Sequence, residues 1–544
     1  MTLSRRAFLC TLPAATAALS ACTDRPADRR LDAAFVGQGP ERGHRIRDGA
    51  TSAPRGETIR TEVVVVGAGA AGAAAAWHLA RAGVQDVWVL ELEDAPGGTA
   101  RSGTLPRSAH PMGAHYLPAP PPSYGALYTL LREIGWWVDG PRDDPLFDGR
   151  LLAGAPLERH RAGGLWHPGL WPEALGDPAR NEAAFARFHD HLRALAARAT
   201  GEDGRPLFAF PVRASSHALR HLDRIDFATY LERRGLSSPA LDWYVDYACR
   251  DDYGLSARDT SAFAGLHHFL SRGLEADRGT RLFVTPRGND TLVEAMLAAV
   301  PDGRLRTGHA VMAVDPAGRV DALDLAANRI VTFHARSILW AAPRFVLPHV
   351  LPRAADPLRP GDVTYTPWRV TAFEVARAPG GVGAPLAWDN VDVGADHLGY
   401  VVANHGETGP SRPGAVLVLY EPFVGRSPSD LAAARRRLLE TPLRVATSQT
   451  LAALASMHPQ IAADVRRVRI ARWGHAMIRP RPGYLFGSAR ARAAAPIGAV
   501  QPCAADVGGL PLFEEAFAAG VSAAAWAIRR AGRTPDPDLA LEPA

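Results

Sequence analysis

Three glycines and one acid carry the most definite chemistry in the chain. Gly67, Gly69 and Gly72 stand in the run Gly67-Ala-Gly69-Ala-Ala-Gly72, and Glu91 follows about twenty residues on. Gly67 permits a tight turn, Gly69 lets the backbone approach a pyrophosphate, and Gly72 brings a helix close to a strand. Free N–H groups of Ala70 and Ala71 at a helix start face phosphate charge, and a carboxylate at Glu91 accepts hydrogen bonds from ribose hydroxyls. The elements that must hold these residues are legible around them. Residues 63–66 are an apolar, β-branched run of the kind that forms a buried parallel strand. Residues 73–82 read as a helix closed by Gly83, and residues 87–90 as a second strand ending on Glu91. Strand, glycine turn, helix, strand and acid in that order predict a dinucleotide-binding α/β unit.

A second glycine signal follows in Pro96-Gly97-Gly98-Thr99-Ala100-Arg101-Ser102. Two adjacent glycines let a loop pass beneath phosphates without Cβ clashes. This doublet, trailing the second strand, resembles the flavin amine oxidase, protoporphyrinogen oxidase and phytoene desaturase superfamily, and it favours FAD over NAD. Further segments resemble that superfamily in order along the chain. Met112-Gly113-Ala114-His115-Tyr116-Leu117 is similar to the loop that returns along the flavin face. Phe283-Val-Thr-Pro-Arg-Gly288-Asn289 is similar to a segment that opens a helix. Val311 matches the residue whose backbone meets the adenine, and Ala341-Ala342-Pro343 the turn where the sheet passes the cofactor. Cys503-Ala-Ala-Asp506, followed by a helix over residues 512–527, resembles the carboxy-terminal flavin motif. There Asp506 would hold a ribityl hydroxyl, and the helix start at Phe513 and Glu514 would face the flavin ring.

The resemblance implies a Rossmann-like FAD-binding domain of the GR2 flavoprotein type with an interleaved α+β substrate domain. The cofactor residues it implies are Gly67, Gly69, Ala70, Ala71, Gly72, Glu91, Gly97, Gly98, Arg101, Gly113, Ala114, His115, Val311, Ala341, Ala342, Asp506, Phe513 and Glu514. The FAD-binding parts fall over residues 59–122, 280–345 and 478–532, the substrate parts over 123–279 (mainly helical) and 346–477, and a tail over 533–544. His115 and Tyr116 beside the flavin loop, with Trp473 and His475 in the tryptophan segment, are the candidates for the substrate face. No metal site is expected. Cys503 does not match the covalent attachment site of monoamine oxidases, so the FAD is expected to be non-covalent.

Composition narrows the partners. The chain has 544 residues and 61 basic ones, and every one of the 61 is arginine. Many amine oxidases of the superfamily hold a lysine beside the flavin through a water; with no lysine that arrangement is excluded. The arginines are scattered, with Arg435-Arg436-Arg437 the longest run, so a nucleic-acid surface is not indicated. Ser4-Arg5-Arg6-Ala7-Phe8-Leu9 resembles a twin-arginine export signal, and Leu19-Ser20-Ala21-Cys22 a lipoprotein processing site. The expected location is the periplasmic face of a bacterial membrane, anchored through a lipidated Cys22, with residues 23–58 as a flexible tether.

These features predict an FAD-dependent oxidoreductase. It would take hydride from an amine or from an unsaturating carbon chain, and be reoxidised by oxygen or a quinone-type carrier in the membrane. A lipid-anchored flavoprotein that passes electrons or assists assembly, without small-molecule turnover, is the alternative. A closed aromatic cavity next to the cofactor separates the first from the second. An NAD(P) dehydrogenase would need a second nucleotide fingerprint, and the chain shows none.

Overall fold

A computed structural model describes residues 31–49, 52–272, 281–352, 355–407 and 413–541. Residues 33–544 form one body; of the unit before it, Met1–Asp32, only Leu31 and Asp32 are described. The export and lipidation motifs therefore lie outside the described residues.

Two sheets organise the body. The first has seven strands, with Arg55–Val66 at its centre between Val87–Leu90 and Arg329–Trp340, both parallel to it. Val63, Val64, Val65 and Val66 are buried on both faces, which is why this strand reads as unbroken β-branched residues. Arg329–Trp340 is one long strand. Its first half pairs antiparallel with Arg319–Asp324 and its second half parallel with Val500–Pro502. Upstream of it stand two shorter pieces, Leu305–Arg306 on Val87–Leu90 and His309–Asp315 on Arg319–Asp324. Gly308 turns the chain between them with φ +65°.

The helix Ala70–Arg81 crosses this sheet and packs on the carboxy-terminal helix Phe513–Arg530. Their contact depends on small residues: a Cβ on Gly520 would collide with the Ala71 carbonyl, and one on Gly72 with the Gly67 carbonyl. Ala82 and Gly83 close the first helix, Gly83 with φ +72°.

The second sheet has eight strands, in the order Asp32–Val36, Val465–Ile478, Tyr365–Val375, Ala415–Pro422, Tyr400–Val402, Asp389–Asp392, Glu158–Ala162, Leu165–Pro168. Helices Pro178–Ala197, Pro239–Tyr253 and Ala262–Leu270 stand among its connections. The tether expected over residues 23–58 is corrected here. Asp32–Val36 is an edge strand, Pro40–Asp48 is a helix whose Ile46 enters the core beneath the first sheet, and Arg55 already begins the central strand. Two apolar side chains, Phe35 under the Arg472 guanidinium and the buried Ile46, suffice to dock a segment whose composition is otherwise polar.

Candidate functional site

The first helix begins with its N–H groups uncapped. Gly69 is its N-cap and offers no side chain, so the donors of the first turn point out of the sheet's carboxyl edge. Gly67 holds φ +101°, and a Cβ there would stand 3.0 Å from the Ala342 nitrogen; Ala341 N–H donates to the Val66 carbonyl at 2.8 Å. Gly97 N–H donates to the Ala68 carbonyl at 3.0 Å, and Gly97 pairs with Gly69 in an isolated bridge. Ala114 N–H reaches the Thr99 carbonyl at 2.9 Å, and a Cβ on Gly113 would strike that same carbonyl. The structure thus gathers Gly67, Gly69, Ala70, Ala71, Gly72, Gly97, Gly98, Gly113, Ala114, Ala341 and Ala342 into one backbone-walled groove.

Glu91 lines that groove's edge. One carboxylate oxygen accepts the Ala68 N–H at 2.8 Å and the other the Glu93 N–H at 2.9 Å. Burial pushes the carboxyl above its usual range, and those two donors pull it back. Each oxygen retains a lone pair for a hydroxyl donor. Val311 is buried in the same sheet, on His309–Asp315.

Asp506 connects the far end. Its Oδ2 accepts the Arg344 N–H at 2.6 Å and the Tyr365 hydroxyl at 2.5 Å, while Oδ1 is buried with no partner. Arg344 follows directly on Ala341-Ala342-Pro343, so the glycine turn and Asp506 are joined through the end of one strand. Phe513 opens the carboxy-terminal helix behind Leu512, which supplies no side-chain cap. Glu514 lies in that helix's first turn, buried, with Arg272 at 3.4 Å.

Two predicted residues have partners of their own. Arg101 pairs with Asp94 at 2.8 Å. His475 stacks on Phe345 at 4.0 Å and edges Tyr365 at 5.8 Å, which places it toward Asp506 and apart from His115. Burial, with Arg435 and His44 nearby, lowers it to about 3, so it is uncharged at neutral pH. Trp473 donates to the Met112 carbonyl at 2.6 Å and packs in the core, fastening the loop that carries His115 and Tyr116.

Those last two residues open a second space. His115 lies 4.5 Å from the Tyr420 ring and 5.7 Å from Trp388, and Tyr116 is edge-on to Trp388 at 5.9 Å. The Tyr420 hydroxyl donates to the Gly113 carbonyl at 3.0 Å, tying this space to the backbone groove. Sequence reasoning missed the acids that face it. The Tyr116 hydroxyl sits 3.1 Å from Asp252 and 3.4 Å from Asp251. Asp252 also meets His268 Nδ1 at 2.6 Å and Arg272 at 3.0 Å. The Tyr247 hydroxyl donates to Asp389 at 3.2 Å. His115, Tyr116, Asp251, Asp389 and Glu158 lie deep in the protein yet keep accessible surface, so they face an internal space. The signal available in the sequence was Asp251-Asp252, an acid pair inside the aromatic helix Pro239–Tyr253.

Charge in this space is unbalanced. Burial raises Asp389, with Asp251 and Glu158 adding repulsion, and burial raises Glu158. Burial and then Asp252 raise Asp251 to about 7. Burial works against Asp252 too, but Arg272 and His268 overcome it and hold that acid below the ordinary range. Among the described residues no arginine or histidine forms an ion pair with Asp251, Asp389 or Glu158, whereas Asp252 has two such partners. His115, lowered by burial to about 4, brings no positive charge.

A family model for NAD(P)-binding Rossmann-like domains matches residues 65–134. No curated protein sequence matches the chain. Among solved structures, putrescine oxidase with putrescine bound superposes with TM-score 0.60 at 18% identity, covering 87% of this chain and 100% of that one. Cyclohexylamine oxidase from Brevibacterium oxydans IH-35A gives 0.58 at 18%, with 87% and 100% covered. A candidate protoporphyrinogen oxidase from Exiguobacterium sp. 255-15 gives 0.57 at 14%, with 87% and 99% covered. At these identities the likeness establishes the fold: a Rossmann-like α/β body with an interleaved second domain.

Proposed function

We propose that the protein is an FAD-dependent oxidoreductase acting on a cationic amine. The observation that carries this reading is the cluster of Tyr116, Trp388 and Tyr420 rings beside the backbone groove, set against three partly accessible acids, Asp251, Asp389 and Glu158, with no ion-pair partner among the described residues. An electron-transfer flavoprotein has no need of such a cavity. A polyene or a porphyrinogen ring gains nothing from unpaired carboxylates, whereas an ammonium group is stabilised by acids and by aromatic faces together.

The groove fits FAD on its own terms. Uncapped N–H groups at Ala70 and Ala71 suit a pyrophosphate, and Glu91 keeps lone pairs for ribose hydroxyls. The partnerless Asp506 Oδ1 suits a ribityl hydroxyl, and the uncapped helix start at Phe513 suits negative charge on the ring. When bound, FAD supplies the two-electron chemistry, accepting a hydride from a carbon next to nitrogen. The chain's own residues do the rest. Asp251, Asp389 and Glu158 offer acceptor oxygens to the ammonium group, the aromatic walls exclude water, and uncharged His115 packs the inner wall without repelling it. Putrescine and cyclohexylamine are the amines named for two of the similar structures, and they are reasonable first substrates here.

The test is to mix flavin-loaded protein anaerobically with a panel of amines, porphyrinogens and polyenes and follow loss of the oxidised flavin band. Amines should bleach it. Bleaching by porphyrinogens or polyenes alone, or by nothing, would overturn the reading.

A further inference from the structure

Asp251 and Asp252 are consecutive in sequence, share the Tyr116 hydroxyl, and differ in everything else. Asp252 is fully engaged: Tyr116 on Oδ1 at 3.1 Å, His268 Nδ1 and Arg272 on Oδ2 at 2.6 and 3.0 Å. Asp251 has only the longer Tyr116 contact at 3.4 Å and faces the cavity. A carboxylate that is already doubly ion-paired is a poor proton acceptor; its unpaired neighbour is a good one.

We infer that Asp251 takes the proton from a bound ammonium substrate. This deepens the amine-oxidising reading above and rests on it.

In the step, one N–H bond of the ammonium group breaks and its electron pair stays on nitrogen. An O–H bond forms on Asp251. The substrate becomes a neutral amine, whose lone pair supports departure of hydride from the adjacent carbon; nothing is oxidised in the proton transfer itself. This acceptor fills the role for which this lysine-free chain has no lysine.

The groups around Asp251 fit the assignment from every side. On its own helix stand Asp252 and Tyr247; from the strand Tyr116–Pro118 comes Tyr116; from the helix Ala262–Leu270 and just beyond come His268 and Arg272. Asp389 and Glu158 face the same space, and Glu514 lies behind Arg272. Burial and Asp252 bring Asp251 to about 7, so it is an acceptor above neutrality and a protonated bystander below it. Activity should therefore fall as pH drops through about 7.

The test compares flavin-loaded wild type with Asp251→Asn and Asp251→Glu, using benzylamine as probe and following anaerobic flavin bleaching from pH 5.5 to 10. The pH window is set by the spread between an acceptor near neutrality and an amine near its solution value, roughly 7 to 10. Wild type should show an acid limb near neutrality. Asp251→Asn should lose that limb and run roughly a hundredfold slower or more at pH 7. It should recover toward high pH, where solution supplies neutral amine. Asp251→Glu should retain the limb. An independent reading needs no variant: at pH 8, adding benzylamine to wild type should produce the infrared C=O stretch of a protonated carboxylic acid. If wild type bleaches but Asp251→Asn keeps its rate and its acid limb, or if no such stretch appears, the proton-acceptor role is wrong while the amine reading stands. If no amine bleaches wild type, both fall.

Discussion

The backbone groove and the acid-lined cavity are adjacent, yet they are built in opposite ways. The groove is made of main chain and of missing side chains: glycines at 67, 69, 72, 97, 98 and 113 let strands, loops and a helix start approach each other, and only Glu91 and Asp506 add polar side-chain atoms. The cavity is made of side chains from separate elements, Tyr116, Asp251, Asp389, Tyr420 and Glu158, each delivered by a different strand or helix. A wall of backbone cannot be changed one residue at a time without moving the fold. A wall of side chains can, which is how one scaffold accommodates the different substrates named for the similar structures.

The largest effect that breaks this symmetry is expected at Gly72. Gly72→Val puts a branched side chain where a single Cβ already collides with the Gly67 carbonyl. We expect a loss on the order of 4 kcal/mol or more, seen as insoluble protein or absence of flavin on purification. Soluble, fully yellow Gly72→Val protein would mean that the groove's wall is softer than the geometry says.

A smaller and more selective effect is expected at Asp506. Asp506→Ala leaves the fold's glycine contacts intact but strips the acceptor from the Arg344 N–H and the Tyr365 hydroxyl. Flavin affinity should fall about ten- to a hundredfold, corresponding to roughly 1.4–2.8 kcal/mol, with the melting temperature of the flavin-free protein lowered only modestly. Flavin fluorescence released on dilution measures it. Unchanged retention would move the ribityl contact to another residue.

The same contrast explains what could be read from the chain in advance. The groove is local and depends on residue type: Gly67 to Gly72, Glu91 and the Gly97-Gly98 doublet lie within about thirty residues, and each glycine has a steric reason to be there. Asp506 was legible for the same cause, lying a few residues before a helix start. The cavity was not, because Asp251 meets Tyr116 across 135 residues and Tyr247 meets Asp389 across 142. No local pattern encodes such pairings. The supposed tether misled because composition averages over a window, while a single buried side chain, Ile46, is enough to dock a helix.

Glu515 sharpens the comparison from outside both regions, as a buried carboxylate of the carboxy-terminal helix paired to neither. It lies in the first turn of the carboxy-terminal helix, fully buried; Oε1 accepts the Val212 N–H at 2.6 Å and Oε2 has no partner. Burial raises it to about 7, against 4.5 unperturbed, with the Val212 N–H and Arg213 opposing. The folded state thus holds the proton more tightly than the unfolded chain does. Its contribution to stability is complete below about pH 4.5, is lost as pH rises to about 7, and is flat beyond. Glu515→Gln removes the titrating group and keeps an acceptor for Val212. Its melting temperature should match wild type near pH 4.5 and exceed it above pH 7, by a difference on the order of 2–3 kcal/mol. Thermal melts across that range decide the matter. Parallel curves for the two proteins would show that the Glu515 carboxylate is solvated in the folded state.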